Sequence, residues 1–334
     1  MLHKKLDIPN CIEKRISISK AEGGQIIILL RTDSAHLAKF FTMNWLADNS
    51  SVKPNAIIIA LKGSAKLYGL SQDLDGFRWF CPKTNQVWMF DNEFYGNIKI
   101  TVRGLCSEIV PAEETFLHGC SMSIDGHGLV LSGSSGAGKT TLTTVFRRLL
   151  GSRLKIINDD WGPCSLVSGQ LKFTGEPHLH MKYPSVHALA PKINLNPSFY
   201  PSENFHGDVK DPRARLLIDP RKVFGQKDFI NEAKLQLFVM VTRDPSKPIG
   251  IKFLSTRDLF LFEQGQYSDF YERTERFLNG SLFFVNNNQE KRESNRCRML
   301  LKKFPCISIN NVGNPEKTAK LILTEFEKII LSKR

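Results

Sequence analysis

The 334 residues contain no apolar run long enough to cross a bilayer. The chain's apolar runs, such as Ile26–Leu30 and the stretch Leu235–Val241 with Gln236 inside it, fall well short of the ~20 residues a spanning helix requires. A membrane is therefore not an expected partner. The N-terminus lacks the apolar segment of a signal peptide: Met1-Leu-His-Lys-Lys-Leu-Asp7 carries charge where that segment would lie, and a cytoplasmic protein is expected. There is no C-x-x-C pair, and the cysteines at 11, 81, 106, 120, 164, 297 and 306 are odd in number. Both facts argue against a disulfide framework or a thiolate zinc site. Negative charge is scarce, with 33 Asp and Glu against 46 Lys and Arg, a net +13. Such an excess attracts acidic partners, among them nucleotides, nucleic acid, phosphorylated metabolites and acidic proteins, and it equally fits a solvated basic surface. No nucleic-acid-binding motif accompanies it.

What is present is enough for a full core: 41% of residues are hydrophobic and 24% charged. At roughly 100–200 residues per domain the length predicts two domains. Residues 1–112 read as an α/β or α+β domain without repeats or low-complexity tracts. Strand-like runs lie at Gln25–Arg31, Asn55–Leu61, Gln86–Phe90 and Asn97–Arg103, all rich in β-branched or aromatic residues. Ser34–Ala47 has helical spacing, with Leu37, Phe40, Phe41 and Trp45 on one side.

Residues 113–334 follow another pattern. A strand at Gly128–Ser132 runs into a glycine-rich turn and a helix over Thr140–Leu150, followed by a strand at Leu154–Ile157. Cys164–Val167 and Gln170–Phe173 form a hairpin around Ser168-Gly169. Residues 184–220 hold six prolines and few regular runs, as expected of a lid or substrate loop. Beyond it come a strand at Lys234–Thr242, a polar helical region over about 256–278, strands at Ser281–Val285 and Cys306–Ile309, and a closing helix near Pro315–Leu331.

Gly133-Ser134-Ser135-Gly136-Ala137-Gly138-Lys139-Thr140 fits the phosphate-loop pattern G-x-x-x-x-G-K-[ST], between a strand and a helix as that pattern requires. Glycines let backbone amides turn inward around phosphate oxygens, and the helix N-terminus adds partial positive charge. Lys139 is expected to bridge the outer phosphates and the Thr140 hydroxyl to ligate magnesium, with Thr141 completing the nucleotide-binding segment. Asn158-Asp159-Asp160-Trp161-Gly162 offers two carboxylates at the end of the next strand. One can hold the cation while the other takes a proton from an attacking hydroxyl.

The combination resembles the catalytic domain of the HPr kinase/phosphorylase family. It comprises His118-Gly119 ten residues before Gly128, the loop Gly133–Thr140, and Asp159-Asp160 only twenty residues beyond Lys139. It is also similar to the nucleotide site of the phosphoenolpyruvate carboxykinases, whose loop continues Gly-Lys-Thr-Thr-Leu as here through Leu142. The resemblance covers about residues 113–230. It implies a P-loop kinase fold of that type behind a smaller N-terminal domain, with ATP or another phosphate donor and magnesium. His118 would lie near the reacting phosphoryl group as metal ligand or proton-transfer partner, Asp160 would hold the metal, and Asp159 would be its catalytic partner. Arg215, in Arg213-Ala-Arg215, would steady the transferred phosphate. The glycine-rich segment by which HPr kinases engage their protein substrate is missing, and the proline-rich stretch takes its place. His178, His180, His187 and His206 lie in or near that stretch, and their spacing fixes no third metal ligand.

The expected activity is phosphoryl transfer to a hydroxyl of a small molecule or a protein serine. The alternatives are a nucleotide-dependent regulatory or nucleic-acid-binding module and a carboxykinase-like enzyme. Homo-oligomerisation is left open.

Overall fold

The computed structural model of the chain describes residues 8–76, 78–81, 84–93, 95–134, 136–174, 179–181, 205–206, 215–218, 226–259 and 287–333. It is a mixed α/β protein with two large mixed sheets. Among the described residues the chain divides into two compact units, the first from residues 8–18 and 25–109, the second from 19–24, 110–259 and 287–333. None of the described helices is long and apolar enough to cross a membrane.

The first unit holds strands β1 (Ile12–Ser19), β2 (Gln25–Thr32), β3 (Leu46–Ala47), β4 (Ala56–Ala60), β5 (Arg78–Cys81) and β6 (Gln86–Met89), in the sheet order β3-β1-β2-β4-β6-β5. The apolar runs of β2 and β4 are nearly continuous because these strands, with β6, form the parallel centre of the sheet. Helices α1 (Ala35–Asn44) and α2 (Tyr95–Ile109) pack on β2 and on each other. The predicted helix over Ser34–Ala47 stops at Asn44. Trp45 is extended, and Leu46 and Ala47 pair with β1 instead.

The expected strand at Asn97–Arg103 is a correction: those residues lie inside α2. Its β-branched composition imitates a strand, but Tyr95, Ile98, Val102, Leu105 and Cys106 are buried together at helical spacing. Packing on α1, where Tyr95 lies near Phe40 and Trp45 and its hydroxyl accepts from Asn44 at 2.7 Å, overrides local propensity.

The second unit is built on a nine-stranded sheet. In chain order it contains β7 (Glu114–Leu117), β8 (Gly119–Ile124), β9 (His127–Ser132), helix α3 (Lys139–Leu150), β10 (Leu154–Asn158), β11 (Gly162–Ser165) and β12 (Gln170–Lys172). The short strands β13 (Leu179–Met181), β14 (Phe205–His206) and β15 (Arg215–Ile218) form a separate three-stranded sheet. There follow β16 (Glu232–Thr242), β17 (Ile251–Phe253), helix α4 (Asn287–Lys303), β18 (Cys306–Asn310) and helix α5 (Pro315–Leu331). The main path runs β10-β8-β9-β16-β12-β11-β7, with β18 also on β16 and β17 on β18. Strand β16 is parallel to both β9 and β18. The Ser168-Gly169 hairpin is present, with Cys164 opposite Leu171.

Two cores sandwich this sheet. On one face Met122, Leu131, Val239 and Ile307 meet Phe146 of α3 and Ile322 of α5. On the other, Val130, Ile157 and Phe238 meet Leu300 of α4 and the adjoining Phe304. Each such fully buried side chain contributes about 1.5–3 kcal/mol. A β-bulge between Leu235 and Leu237 moves these two residues, alike in sequence parity, to opposite faces.

Of the expected elements, Ser281–Val285 and all but residues 256–259 of the polar helical region lie outside the described residues, as do His178, His187, Arg213 and most of 184–220.

Candidate functional site

Strand direction assembles the site. Strand β8 is antiparallel to both β9 and β10, with Gly119 opposite Ser132 and Ser121 opposite Asn158. The residue entering β8, the turn leaving β9 and the turn leaving β10 therefore share one edge of the sheet. In sequence terms these are His118, the glycine loop and Asp159-Asp160. Ligands of parallel α/β sheets bind at strand carboxyl ends, and this edge carries those of β9, β10, β16 and β18.

The loop needs its glycines for distinct reasons. At Gly133 a Cβ would stand 2.4 Å from the Val241 carbonyl oxygen, so the loop can back onto β16 only without a side chain. Gly136 and Gly138 have φ of 91° and 96°, conformations that a side chain strains. A Cβ on Gly138 would also lie 2.4 Å from Asn311 Nδ2. That amide donates to the Ala137 carbonyl at 3.0 Å, while the Asn311 backbone amide donates to Thr242 at 2.8 Å. Asn311, just past β18, thus braces the loop from behind. Sequence reasoning did not single it out; the one signal for it is that Gly138 must leave room for something.

Gly138 is the N-cap of α3 and offers no side chain to the first-turn amides. An anion is the natural partner for such a helix end. Lys139 Nζ donates to the Gly133 and Ser134 carbonyls, which hold the ammonium over the loop. The Ala137 methyl belongs to the core, so only its backbone faces a ligand. Thr140 and Thr141 are half-buried in the first turn of α3, and Ser135 lies outside the described residues.

The two acids have different neighbours. His118 Nε2 lies 3.2 Å from Asp160 Oδ1, both side chains about one-fifth exposed. The backbone reinforces the pair: the Gly119 amide donates to the Asp160 carbonyl at 3.0 Å, and Ser132 Oγ, the last residue before the loop, donates to the His118 carbonyl at 2.6 Å. Asp159 Oδ1 accepts from the Cys120 thiol at 3.0 Å. Burial, reinforced by the Asp159 carboxylate, pushes that thiol well above its usual range, so it stays protonated and donates. A hydrogen bond with Thr143 and the charge of Lys139 act on the same thiol in the opposite sense. Cys120, in the sequence only one of seven thiols, thus stands between Asp159 and Thr143 of α3.

Structural residues fix the acid turn. Buried Asn158 donates to Ser121 Oγ and the Lys172 carbonyl, and its oxygen accepts from the Thr174 amide and hydroxyl. A Cβ on Gly162 would come within 2.4 Å of Asn158 Nδ2. Trp161 stacks on Phe116 with ring centroids 4.0 Å apart.

Arg215 stands on β15 opposite His206, and His180 is on β13 opposite Leu217. Their side chains lie outside the described residues, and so does the expected role of Arg215.

The donor set suits a hard cation: the Thr140 hydroxyl and two carboxylates are oxygen ligands of the kind magnesium takes. Among the described residues no group of three His, Cys, Asp or Glu side chains is placed to hold a metal. Magnesium characteristically completes its shell with phosphate oxygens and water.

No protein-family model matches the chain, and no curated protein matches it.

Proposed function

We propose that the chain is a P-loop kinase, similar in its site to the HPr kinase/phosphorylase family, that moves the terminal phosphoryl group of a nucleotide, ATP by preference, to an alcohol. The observation that carries this reading is the convergence at one sheet edge of an uncapped, glycine-bounded helix start, its lysine, and a His118–Asp160 pair hydrogen-bonded to the strand that delivers the loop. The loop amides and Lys139 would grip the polyphosphate. Thr140 and Asp160 would hold magnesium, which when bound offsets the charge of the phosphate oxygens. Asp159 accepts the acceptor's hydroxyl proton while the alcohol oxygen forms its bond to the terminal phosphorus. The bond from that phosphorus to the bridging oxygen breaks, and the nucleoside diphosphate leaves with its electron pair. His118, next to Asp160, positions that carboxylate and can relay the proton outward. Because transfer of this kind depends on positioning and charge rather than covalent chemistry, a rigidly braced loop meets its main requirement.

The acceptor class is tested by a transfer screen with labelled ATP over a metabolite library and serine peptides. The expected result is labelled product from wild type and none from Lys139→Ala. A wild-type protein that neither binds ATP nor labels any acceptor would refute the proposal.

A further inference from the structure

The opposite flank of the loop carries a cation that the mechanism above does not use. Arg243 follows β16, whose Val241 carbonyl lies against Gly133 and whose Thr242 carbonyl accepts from the backbone amide of Asn311, the residue whose side-chain amide braces Ala137. A single residue, Thr242, lies between Val241 and Arg243, so Arg243 stands at the same sheet edge as the loop, with a side chain long enough to extend toward it. The side chain is exposed and, among the described residues, takes part in no ion pair or hydrogen bond.

The carboxylate next to it in sequence is committed elsewhere. Asp244 accepts from the Ser246 amide and hydroxyl and from Lys247, contacts that hold its carboxyl down at about 2. The loop itself is fixed: Asn310 Oδ1 accepts from the Asp244 amide, and Asn310 Nδ2 donates to the carbonyls of Asp244, Lys247 and Pro248. A pinned backbone beside the phosphate loop thus presents an arginine whose adjacent acid is turned to other donors.

Direction follows from the proposed function, on which this inference rests. If the terminal phosphate faces Asp159, Asp160 and His118 on the β10–β8 flank, the polyphosphate crosses the loop toward β16 and β18. Its α-phosphate and nucleoside then lie on the flank where Arg243 stands. We infer that Arg243 is a binding residue for the nucleoside end of the donor, its planar guanidinium engaging the α-phosphate oxygens, so that the site selects nucleotides over shorter phosphates.

The test compares ATP, GTP and inorganic pyrophosphate, each with magnesium, on the full-length protein by calorimetry. Pyrophosphate fills the loop without reaching Arg243. Arg243→Ala is expected to weaken nucleotide binding about tenfold and pyrophosphate binding less than twofold, with Arg243→Lys recovering part of the loss. Unchanged nucleotide affinity, or an equal loss for nucleotide and pyrophosphate, would overturn the assignment while leaving the kinase reading standing. Wild-type protein that binds none of the three would overturn both. A thermal melt of Arg243→Ala matching wild type assigns any loss to contact rather than folding.

Discussion

Strands β2 and β9 each hand the chain to a helix at their carboxyl ends, and the two junctions are finished differently. After β2, Thr32 Oγ1 accepts from the Ser34 amide and Ser34 Oγ accepts from the Leu37 amide, capping α1. Asp33 between them takes the Lys62 amide at 2.9 Å and the Tyr68 hydroxyl at 3.1 Å. Burial and that carboxylate push the Tyr68 hydroxyl up to about 12, which keeps it a donor. After β9, the cap position is Gly138, left-handed and without a side chain, and the support comes from behind through Asn311. The first junction is closed by its own oxygens; the second has no side-chain cap on its first-turn amides, the feature on which the proposed nucleotide site depends. Similar topology yields a corner closed by its own side chains in one case and an uncapped helix end in the other, and the residue at the cap makes the difference.

Substitutions can break this contrast. Lys139→Ala has the largest expected effect, a loss of transfer of about a hundredfold or more with the melting temperature little changed. Turnover near wild type would mean the second junction is no more functional than the first. Asp159→Asn should reduce transfer by more than about tenfold while calorimetry still detects nucleotide binding. Loss of binding instead would give Asp159 a metal-holding role. Gly138→Ala puts a methyl against Asn311 at φ 96° and should weaken nucleotide binding by roughly tenfold, with a stability loss of about 1–3 kcal/mol by denaturant titration. Ser34→Ala sharpens the comparison from the other side. It should cost about 1 kcal/mol of stability and leave nucleotide affinity unaltered, since that cap serves only its helix.

The parts of the fold that were legible in the sequence are those where one local signal dominates. Strands β2, β4 and β9 carry unbroken apolar runs inside a sheet, β16 and β18 carry apolar runs interrupted by Gln236 and Ser308, and α5 begins at an Asn-Pro pair whose Asn314 oxygen caps it. Helix α2 was misread because Ile98, Ile100 and Val102 alternate like a strand, while the partners that decide the matter, Phe40 and Trp45, lie more than fifty residues earlier. Strands β7 and β8 carry no clear strand signal: β8 is buried throughout, but Gly119, Ser121 and Ser123 alternate with the apolar Cys120, Met122 and Ile124, so only one of its two faces is apolar. In the site, the loop was legible as a motif. Its brace was not, because Asn311 acts through a backbone carbonyl far away in sequence and leaves no pattern of its own.

That separation bears on the order in which the edge comes together. His118 meets Asp160 across 42 positions, whereas Asn311 reaches Ala137 across 174. Closing the longer loop costs ~1 kcal/mol more in chain entropy. The hairpin and its acids can therefore condense as a local piece, with the asparagine arriving late. The braced form of the glycine loop, on which the proposed nucleotide site depends, is then expected to be among the last features this unit acquires as it forms and among the first it surrenders when the chain loosens.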